Sequence, residues 1–358
     1  MAGSGFSAAM GAVVLGWSRV IRPELMNRPE LSLVIPIFNE EAIIDELERR
    51  LVGIVGSIPT VGEAWEVVLV NDGSRDGSLE MLRGVAGRDT RFKVLSFSRN
   101  FGHQMAITAG VDRAEGQAVI VMDADLQDPP EVIGEMVARW REGFDVVYGV
   151  RRSRAGETIF KKLTAAIYYR LLRAMLGIEI PVDAGDFRLM SRPVVLALRA
   201  LRERHRFVRG MVAWVGFKQV AVKYDREARF AGETKYPLRK MLRFAVDGIT
   251  SFSVTPLRFA TWLGGLAGAV AVGAGVWSIY AHFFVARVVP GWTTIMIFVA
   301  FGTSAQLLMI GILGEYVGRI YEELKHRPLY ITSEEINFSG PVPAPVSSPG
   351  PAQRYRGN

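Results

Sequence analysis

Four short apolar runs divide the first half of the chain, and each breaks off into polar residues. Leu31 to Phe38 ends at Asn39, Glu40 and Glu41, and Glu66 to Val70 ends at Asn71-Asp-Gly-Ser-Arg-Asp-Gly77. Phe92 to Phe97 ends at Ser98-Arg-Asn-Phe-Gly-His103, and Ala118 to Met122 at Asp123-Ala-Asp-Leu-Gln-Asp-Pro-Pro130. Runs of this length bounded by turn residues predict buried strands. Helical stretches lie between them, from Asn39 to about Val55 and from Gln104 to Ala114. Alternating strands and helices predict an α/β domain with a mainly parallel, doubly wound, Rossmann-like sheet. Such sheets bind ligands beyond the carboxyl ends of their strands, where all four polar breaks fall. A further strand, Asp145 to Val150, empties into Arg151, Arg152 and Arg154, with Lys161 and Lys162 on the next helix. Asp183 to Met190 reads as a polar loop entering a short apolar strand. His205 to Met211 reads as a helix or loop that is both basic and apolar, and its histidine as structural.

The pattern changes after residue 230. Leu238, Met241, Leu242, Ala245, Val246 and Ile249 recur at spacings of three and four, opposite Arg239, Lys240, Arg243 and Asp247. This predicts an amphipathic helix lying on an anionic membrane surface, with an ordinary core-facing helix as the plainer alternative. Phe259 to Ala286 and Val288 to Gly314 contain no Asp, Glu, Lys or Arg. Each exceeds the roughly 20 apolar residues that cross a bilayer, and together they predict a two-helix transmembrane hairpin. Trp292 is the best placed of its tryptophans to anchor at the interface. Lys235, Arg239, Lys240, Arg243 and Arg258 precede the hairpin and Arg319, Lys325 and Arg327 follow it, whereas its turn holds Arg287 alone. That asymmetry places both flanks in the cytoplasm. The expected divisions are a lead over 1–30, the α/β domain over 31–230, the interfacial helix region over 231–256, the hairpin over 257–318, and a cytoplasmic C-terminal segment over 319–358 whose end, from Pro341, is disordered.

Composition narrows the chemistry. The chain has no cysteine, which removes thiolate nucleophiles and cysteine-held metals. A net charge of +7 fits nucleic acid, a membrane surface or phosphorylated ligands. Much of that charge flanks the hairpin and no nucleic-acid module is present, so nucleic acid is not an expected partner. Neither a GxGxxG loop nor a P-loop occurs. Asp123 and Asp125, two apart at a strand end, can reach one hard cation, and Gln127 can add a neutral oxygen. Mg²⁺ or Mn²⁺ with substrate phosphates fits that donor set. A solvated acidic turn is the plainer alternative. Glu40 and Glu41 fit either a nucleotide-binding loop or the favourable first turn of a helix. Asp72 can accept hydrogen bonds from a base or ribose, whereas Asp76-Gly77 reads as a plain turn.

Six motifs occur in order: Pro36-Ile-Phe-Asn-Glu40, Asn71-Asp-Gly-Ser-Arg-Asp-Gly77, Ser98-Arg-Asn-Phe-Gly102, Met122-Asp-Ala-Asp-Leu-Gln-Asp-Pro-Pro130, Asp186-Phe-Arg188 and Gly248-Ile-Thr-Ser-Phe252. Together with the hairpin they resemble the family 2 glycosyltransferases that load a sugar onto a polyprenyl phosphate, of the GtrB-like bactoprenol glucosyltransferase type and more distantly dolichol-phosphate mannose synthase. The Gln-x-x-Arg-Trp signature of processive polysaccharide synthases is absent. The resemblance implies a GT-A fold, a nucleotide-sugar donor and an inverting transfer. By position, Pro36, Phe38 and Glu40 would line the nucleotide pocket and Asp72 would bind the base. Asp123 would face ribose and metal, and Asp125 and Gln127 would ligate Mg²⁺ or Mn²⁺ at the diphosphate. Arg151 and Arg188 would hold the acceptor phosphate, with Lys161 or Lys162 assisting, and Asp186 is the residue usually proposed as base. UDP-glucose is the expected donor, with GDP-mannose and UDP-galactose as alternatives. The implied setting is a bacterial inner (plasma) membrane, multi-pass, with the catalytic domain and both termini cytoplasmic. A homo-oligomer would bury the hairpin's polar and glycine faces. Two rivals are a non-catalytic membrane scaffold, against which the retained Asp123, Asp125 and Arg188 argue, and a nucleotidyltransferase, which would need no hairpin.

Overall fold

The computed structural model describes residues 28–152, 184–225, 255–284 and 291–340. The lead before residue 28, Lys161 and Lys162, the expected interfacial helix and the tail from Pro341 lie outside the described residues.

Strand β1 (Leu31–Ile37) is buried at every position, as are β2 (Trp65–Asn71) and β4 (Ala118–Val121). Strand β3 (Phe92–Phe97) exposes part of Lys93 alone. Their unbroken apolar runs follow from burial on both faces. After a 3₁₀ turn at Glu41–Ile43, helix α1 (Ile44–Val55) buries Ile44, Leu47, Leu51 and Val55, one stripe at helical spacing. Helices α2 (Ser78–Arg88), α3 (His103–Arg113) and α4 (Ile133–Arg141) complete the alternation. Alternate strand residues feed two cores. Leu31, Leu33, Ile35 and Ile37 pack with Leu47, Leu82 and Met136, while Val34 packs on the other face with Ala106 and Ile107. On that second face α3 lies close to the sheet. A Cβ on Gly110 would come 2.2 Å from Val34 Cγ1, so only glycine permits the approach.

Eight strands, completed by β5 (Val146–Arg151), β6 (Ala184–Ser191), β7 (Gln219–Tyr224) and β8 (Thr332–Ile336), form one sheet in the order β7-β5-β6-β4-β1-β2-β3-β8. The neighbours β4-β1-β2-β3 are parallel throughout, and β5 is parallel to β7. The expected mainly parallel sheet is therefore present. Strand β6 runs antiparallel between β4 and β5. The strand expected at the end of 183–190 is present but begins earlier, at Ala184, so the expected polar loop is corrected: Asp186 and Arg188 belong to the strand. Phe187 and Leu189 face one core, and Asp186 and Arg188, which alternate with them, point to the opposite face. Helices α5 (Arg192–Ala200) and α6 (Val208–Trp214) follow, bracketing a connection that contains His205.

Helix α7 (Thr255–Phe284) leaves this domain and α8 (Trp292–Leu324) returns to it. Met309 lies against Gly264, as in an antiparallel hairpin. The window Ala260–Trp277 has a mean hydropathy of 1.4 and is only 6% buried, so α7 is apolar without being a core helix. Helix α8 exposes Val299, Phe301, Leu307, Ile310 and Leu313 along its side.

The return continues into an element that the residue pattern did not suggest. Strand β8 (Thr332–Ile336) pairs antiparallel with β3 and closes that edge of the sheet. Arg83 reaches Glu334 at 2.7 Å and Arg113 reaches Glu335 at 2.5 Å. Tyr330 stacks on Phe97 at 5.2 Å, and its hydroxyl donates to Asp112 at 3.1 Å. Tyr330→Phe keeps the stack and loses only the hydrogen bond, whereas Tyr330→Ala loses both. The expected costs are about 1 and about 3 kcal/mol. Thermal unfolding of the two variants would measure them, and equal Tm values would refute the stacking contribution.

Candidate active site

The direction of strand order reverses at β1: β2 lies on one side of it and β4 on the other. The crevice beyond this switch point is where open α/β sheets take ligands. Here it is a cavity of about 810 Å³. Pro36, Ile37, Phe38 and Glu40 line it from the end of β1, Asp72 from β2, and Asp123 and Asp125 from β4. Asn100 to Met105 supply the wall beyond β3, Asp186 comes from β6, and Phe207 and Arg209 come from the start of α6.

The loops are tied together before any ligand enters. Asn39 takes a left-handed φ of 56°, which its short polar side chain tolerates. Its side-chain oxygen accepts the Arg75 N–H at 2.8 Å. Gly77 N–H donates to Glu41 at 2.6 Å, and Asp76 accepts from the Ser78 and Glu41 N–H groups. Asp76-Gly77 is thus the plain turn expected, and Glu41 serves that turn. Gly73, at φ +66°, passes so close to the next loop that a Cβ would lie 2.4 Å from the Arg99 carbonyl carbon. Asp72 accepts from Phe101 N–H at 2.7 Å and from Gly102 N–H at 3.0 Å. Burial pushes its carboxyl up, against those two N–H groups. Asp72 therefore shapes the pocket wall as well as lining it.

Carboxylates gather on the floor. Asp125 accepts the Gln127 N–H at 3.2 Å, across Leu126 at φ 54°. Asp123 keeps 33% of its side-chain surface exposed and lines the cavity. Burial pushes its carboxyl up to about 6; the His103 charge opposes the rise, and Asp186, Asp128 and Asp125 add to it. Asp186 behaves in the opposite way. Burial would raise it, but the His103 hydrogen bond and the Arg209 and Arg188 charges outweigh burial and hold its carboxyl well below the usual carboxylate range. Arg209 grips it with Nε at 2.7 Å and Nη2 at 3.0 Å, and His103 Nε2 lies 3.3 Å from it and 3.5 Å from Asp123.

The residues expected from sequence fall into three groups. Pro36, Phe38, Glu40, Asp72, Asp123, Asp125 and Asp186 converge on the cavity. Gln127, Arg151 and Arg188 do not line it. Gln127 meets Asp125 through its backbone. Arg151 stands 3.6 Å from Asp128, which also accepts the Tyr224 hydroxyl at 2.5 Å, so it braces the loop that follows Asp123 and Asp125. Arg188 is 4% exposed, and its guanidinium donates to the Gly185 carbonyl at 2.7 Å. Burial lowers its pKa to about 10. Arg188 stands two residues from Asp186 on the same face of β6. The third group, Lys161 and Lys162, lies outside the described residues. His103 and Arg209 were not anticipated. His103 directly follows the Ser98–Gly102 motif at the start of α3, a position facing the strand ends, and that was the available signal. His205, read as structural, reaches Glu322 of α8 at 2.9 Å.

In an open α/β sheet the switch point is where a ligand binds, and here it is where the carboxylates gather. The chain belongs to glycosyl transferase family 2, whose domain matches residues 32–198. It is 50% identical over 305 residues to the glycosyltransferase YkcC of Bacillus subtilis (strain 168), covering 85% of this chain and 94% of that one. It is 39% identical over 306 residues to the bactoprenol glucosyl transferase of Shigella phage SfV, covering 86% and 99%. Among solved structures it matches glucosyl-3-phosphoglycerate synthase from Mycobacterium tuberculosis, in complex with Mn²⁺, UDP and phosphoglyceric acid. That match has 19% identity and a TM-score of 0.44, over 67% of this chain and 80% of the other. The GT-A class expected from the motifs is the fold of this domain.

Proposed function

We propose that the protein moves a hexose, glucose from UDP-glucose, onto a polyprenyl phosphate at the cytoplasmic face of the plasma membrane, with inversion. The observation that carries this reading is the pairing of β8 with β3. The chain leaves the catalytic domain through the apolar helix α7 and must come back to the same sheet. If α7 crosses the bilayer, α8 crosses it in return, so the cavity stays on one side and near the headgroups. A lipid acceptor calls for this arrangement, because withdrawing a polyprenyl tail costs roughly 0.8 kcal/mol per CH₂. The similarity to bactoprenol glucosyl transferases supports the same reading.

The donor set fits a divalent metal. Among the described residues no three acidic or histidine side chains form a closed cage. Asp123 and Asp125 instead stand together in a site crowded with negative charge, which suits Mg²⁺ or Mn²⁺ shared with a diphosphate. Such a metal would supply charge stabilisation of the departing nucleoside diphosphate. Pro36, Phe38 and Asp72 would seat the base and sugar. Asp186, held as an anion, orients the acceptor side of the site and takes up no proton. No strong base is needed, because the acceptor phosphate is already largely anionic at pH 7.

Metal binding has a direction with pH. The cation binds the deprotonated Asp123, whose carboxyl lies at about 6. Mn²⁺ affinity should be flat above that pH and fall about tenfold per unit below it. Calorimetric titration from pH 5 to 8 measures this, and an affinity that holds constant down to pH 5 would remove Asp123 from the ligand set.

A donor screen tests the function. Purified protein in detergent, undecaprenyl phosphate and Mg²⁺ are mixed with labelled UDP-glucose, UDP-galactose or GDP-mannose, and label is followed into the organic phase. Transfer from UDP-glucose, lost with EDTA, is expected. Transfer from another donor would correct the sugar, and no transfer from folded protein would sink the reading.

A further inference from the structure

We infer that Arg209 is the residue that receives the acceptor's phosphate monoester, on the wall of the cavity tied to the base of α8. The inference rests on the lipid-phosphate acceptor proposed above.

Five of the residues lining the cavity are carboxylates. Among the described residues, only Arg209 and His103 in that lining can carry positive charge. A phosphate approaching the anomeric carbon meets Asp123 and Asp186, and it needs a cation beside them. Arg188 lies in the core and Arg151 serves Asp128. Arg209 also serves a carboxylate, Asp186, but unlike the other two it lines the cavity. Its side chain is 34% exposed, and Asp186 holds one edge of the guanidinium through Nε and Nη2. A planar fork fixed along one edge is already oriented, so little rotamer freedom is lost when an anion binds. Buried Asp186 thereby acts as a positioning residue for the arginine.

The path of the chain supplies an independent argument. Arg204 N–H donates to Glu323 at 2.6 Å, and Arg204 Nη1 donates to the Arg327 carbonyl at 3.0 Å. His205 meets Glu322 at 2.9 Å. The segment that begins at the base of α8 therefore enters the cavity wall as Phe207 and Arg209. Val208 N–H donates to Gln104 at 3.0 Å, which fixes that wall to α3. A phosphate carried on a membrane lipid arrives from the α8 side and meets Arg209 first. One of its oxygens then bonds to the anomeric carbon. The bond from that carbon to the donor's diphosphate oxygen breaks, and the nucleoside diphosphate leaves with the electron pair.

The test uses the full-length protein in detergent with the donor that the screen identifies. Arg209→Lys should raise the acceptor KM about tenfold, and Arg209→Gln about a hundredfold. Donor KM and the Tm of the lysine variant should stay near wild type. Inorganic phosphate should compete with undecaprenyl phosphate in wild type and lose that competition in Arg209→Gln. Stronger binding of the lipid than of inorganic phosphate to wild type supports a membrane source, and equal binding overturns it. An unchanged acceptor KM in both variants overturns the assignment. So does a parallel loss of donor and acceptor binding with a lowered Tm, which marks a structural role. If wild type transfers no sugar at all, the functional reading fails separately. Binding of undecaprenyl phosphate nanodiscs, lost or retained in Arg209→Gln, then still decides whether Arg209 is a phosphate site.

Discussion

Asp125→Asn should lower the transfer rate about a thousandfold while leaving the fold in place. Asparagine keeps the shape of the side chain and an oxygen for the Gln127 N–H, the 3.2 Å bond that sets the turn. What it removes is the charge. Asp125 is 8% exposed and lines the cavity, where the proposed cation would sit. A cation that steadies a departing diphosphate is worth several kcal/mol, and each 1.36 kcal/mol is a factor of about ten in rate. Losing one of two anionic ligands should therefore cost about three decades in kcat. The Tm should hold or rise slightly, because Asp125 is one of the charges that push Asp123 upward. A variant that keeps a tenth of wild-type activity would show that the cation is held elsewhere.

The parts of this site that were readable in sequence share a cause. Strands β1 to β4 are buried on both faces, so each prints an apolar run and then a polar break, and the break is the site. Pro36, Asp72, Asp123 and Asp125 could be located from that rule alone. Strand β6 hides for the opposite reason. Asp186 and Arg188 interrupt its apolar pattern, and the groups that make a buried Asp186 tolerable, His103 and Arg209, are distant in sequence. A charge pair formed by folding leaves no local trace. Strand β8 is invisible in the same way. Thr332, Ser333, Glu334 and Glu335 read as exposed chain until Arg83 and Arg113, more than two hundred positions away, supply the countercharges.

The hairpin was legible as length without charge, but its attachment was not. Read by composition, residues after 319 form a cytoplasmic segment that merely follows the membrane. In the fold they reach back through Tyr330 and β8 to the strand whose loop carries Phe101, Gly102 and His103. Ser98 N–H donates to the Ile331 carbonyl at 3.0 Å, and Phe97 touches both Tyr330 and Phe101. The same residues thus dock the chain after α8 and back the cavity wall. One set of contacts therefore governs both the position of the hairpin and the geometry of the site, which suits an enzyme with one substrate in water and the other in lipid.

Asp186→Asn should lower kcat/KM about a hundredfold without changing the shape of the pH profile, and this separates positioning from proton transfer. The carboxylate is held as an anion by the His103 hydrogen bond and the Arg209 and Arg188 charges, which together outweigh its burial. A group held so firmly deprotonated is a poor proton acceptor, since accepting a proton would forfeit those contacts. Neutral asparagine would leave Arg188 buried without its counterion and loosen the Arg209 fork. Removing one partner of a buried pair costs about 3–5 kcal/mol, so the Tm should fall by about 6 °C or more. The activity loss should appear mainly in the acceptor KM, because the misplaced group is Arg209. A general base would act differently: its loss would abolish the acidic limb of the profile and strike kcat with acceptor binding intact. If Asp186→Asn flattens that limb while acceptor KM and Tm stay at wild-type values, Asp186 is the base after all. If acceptor KM and Tm move together and the limb persists, the carboxylate works through Arg209.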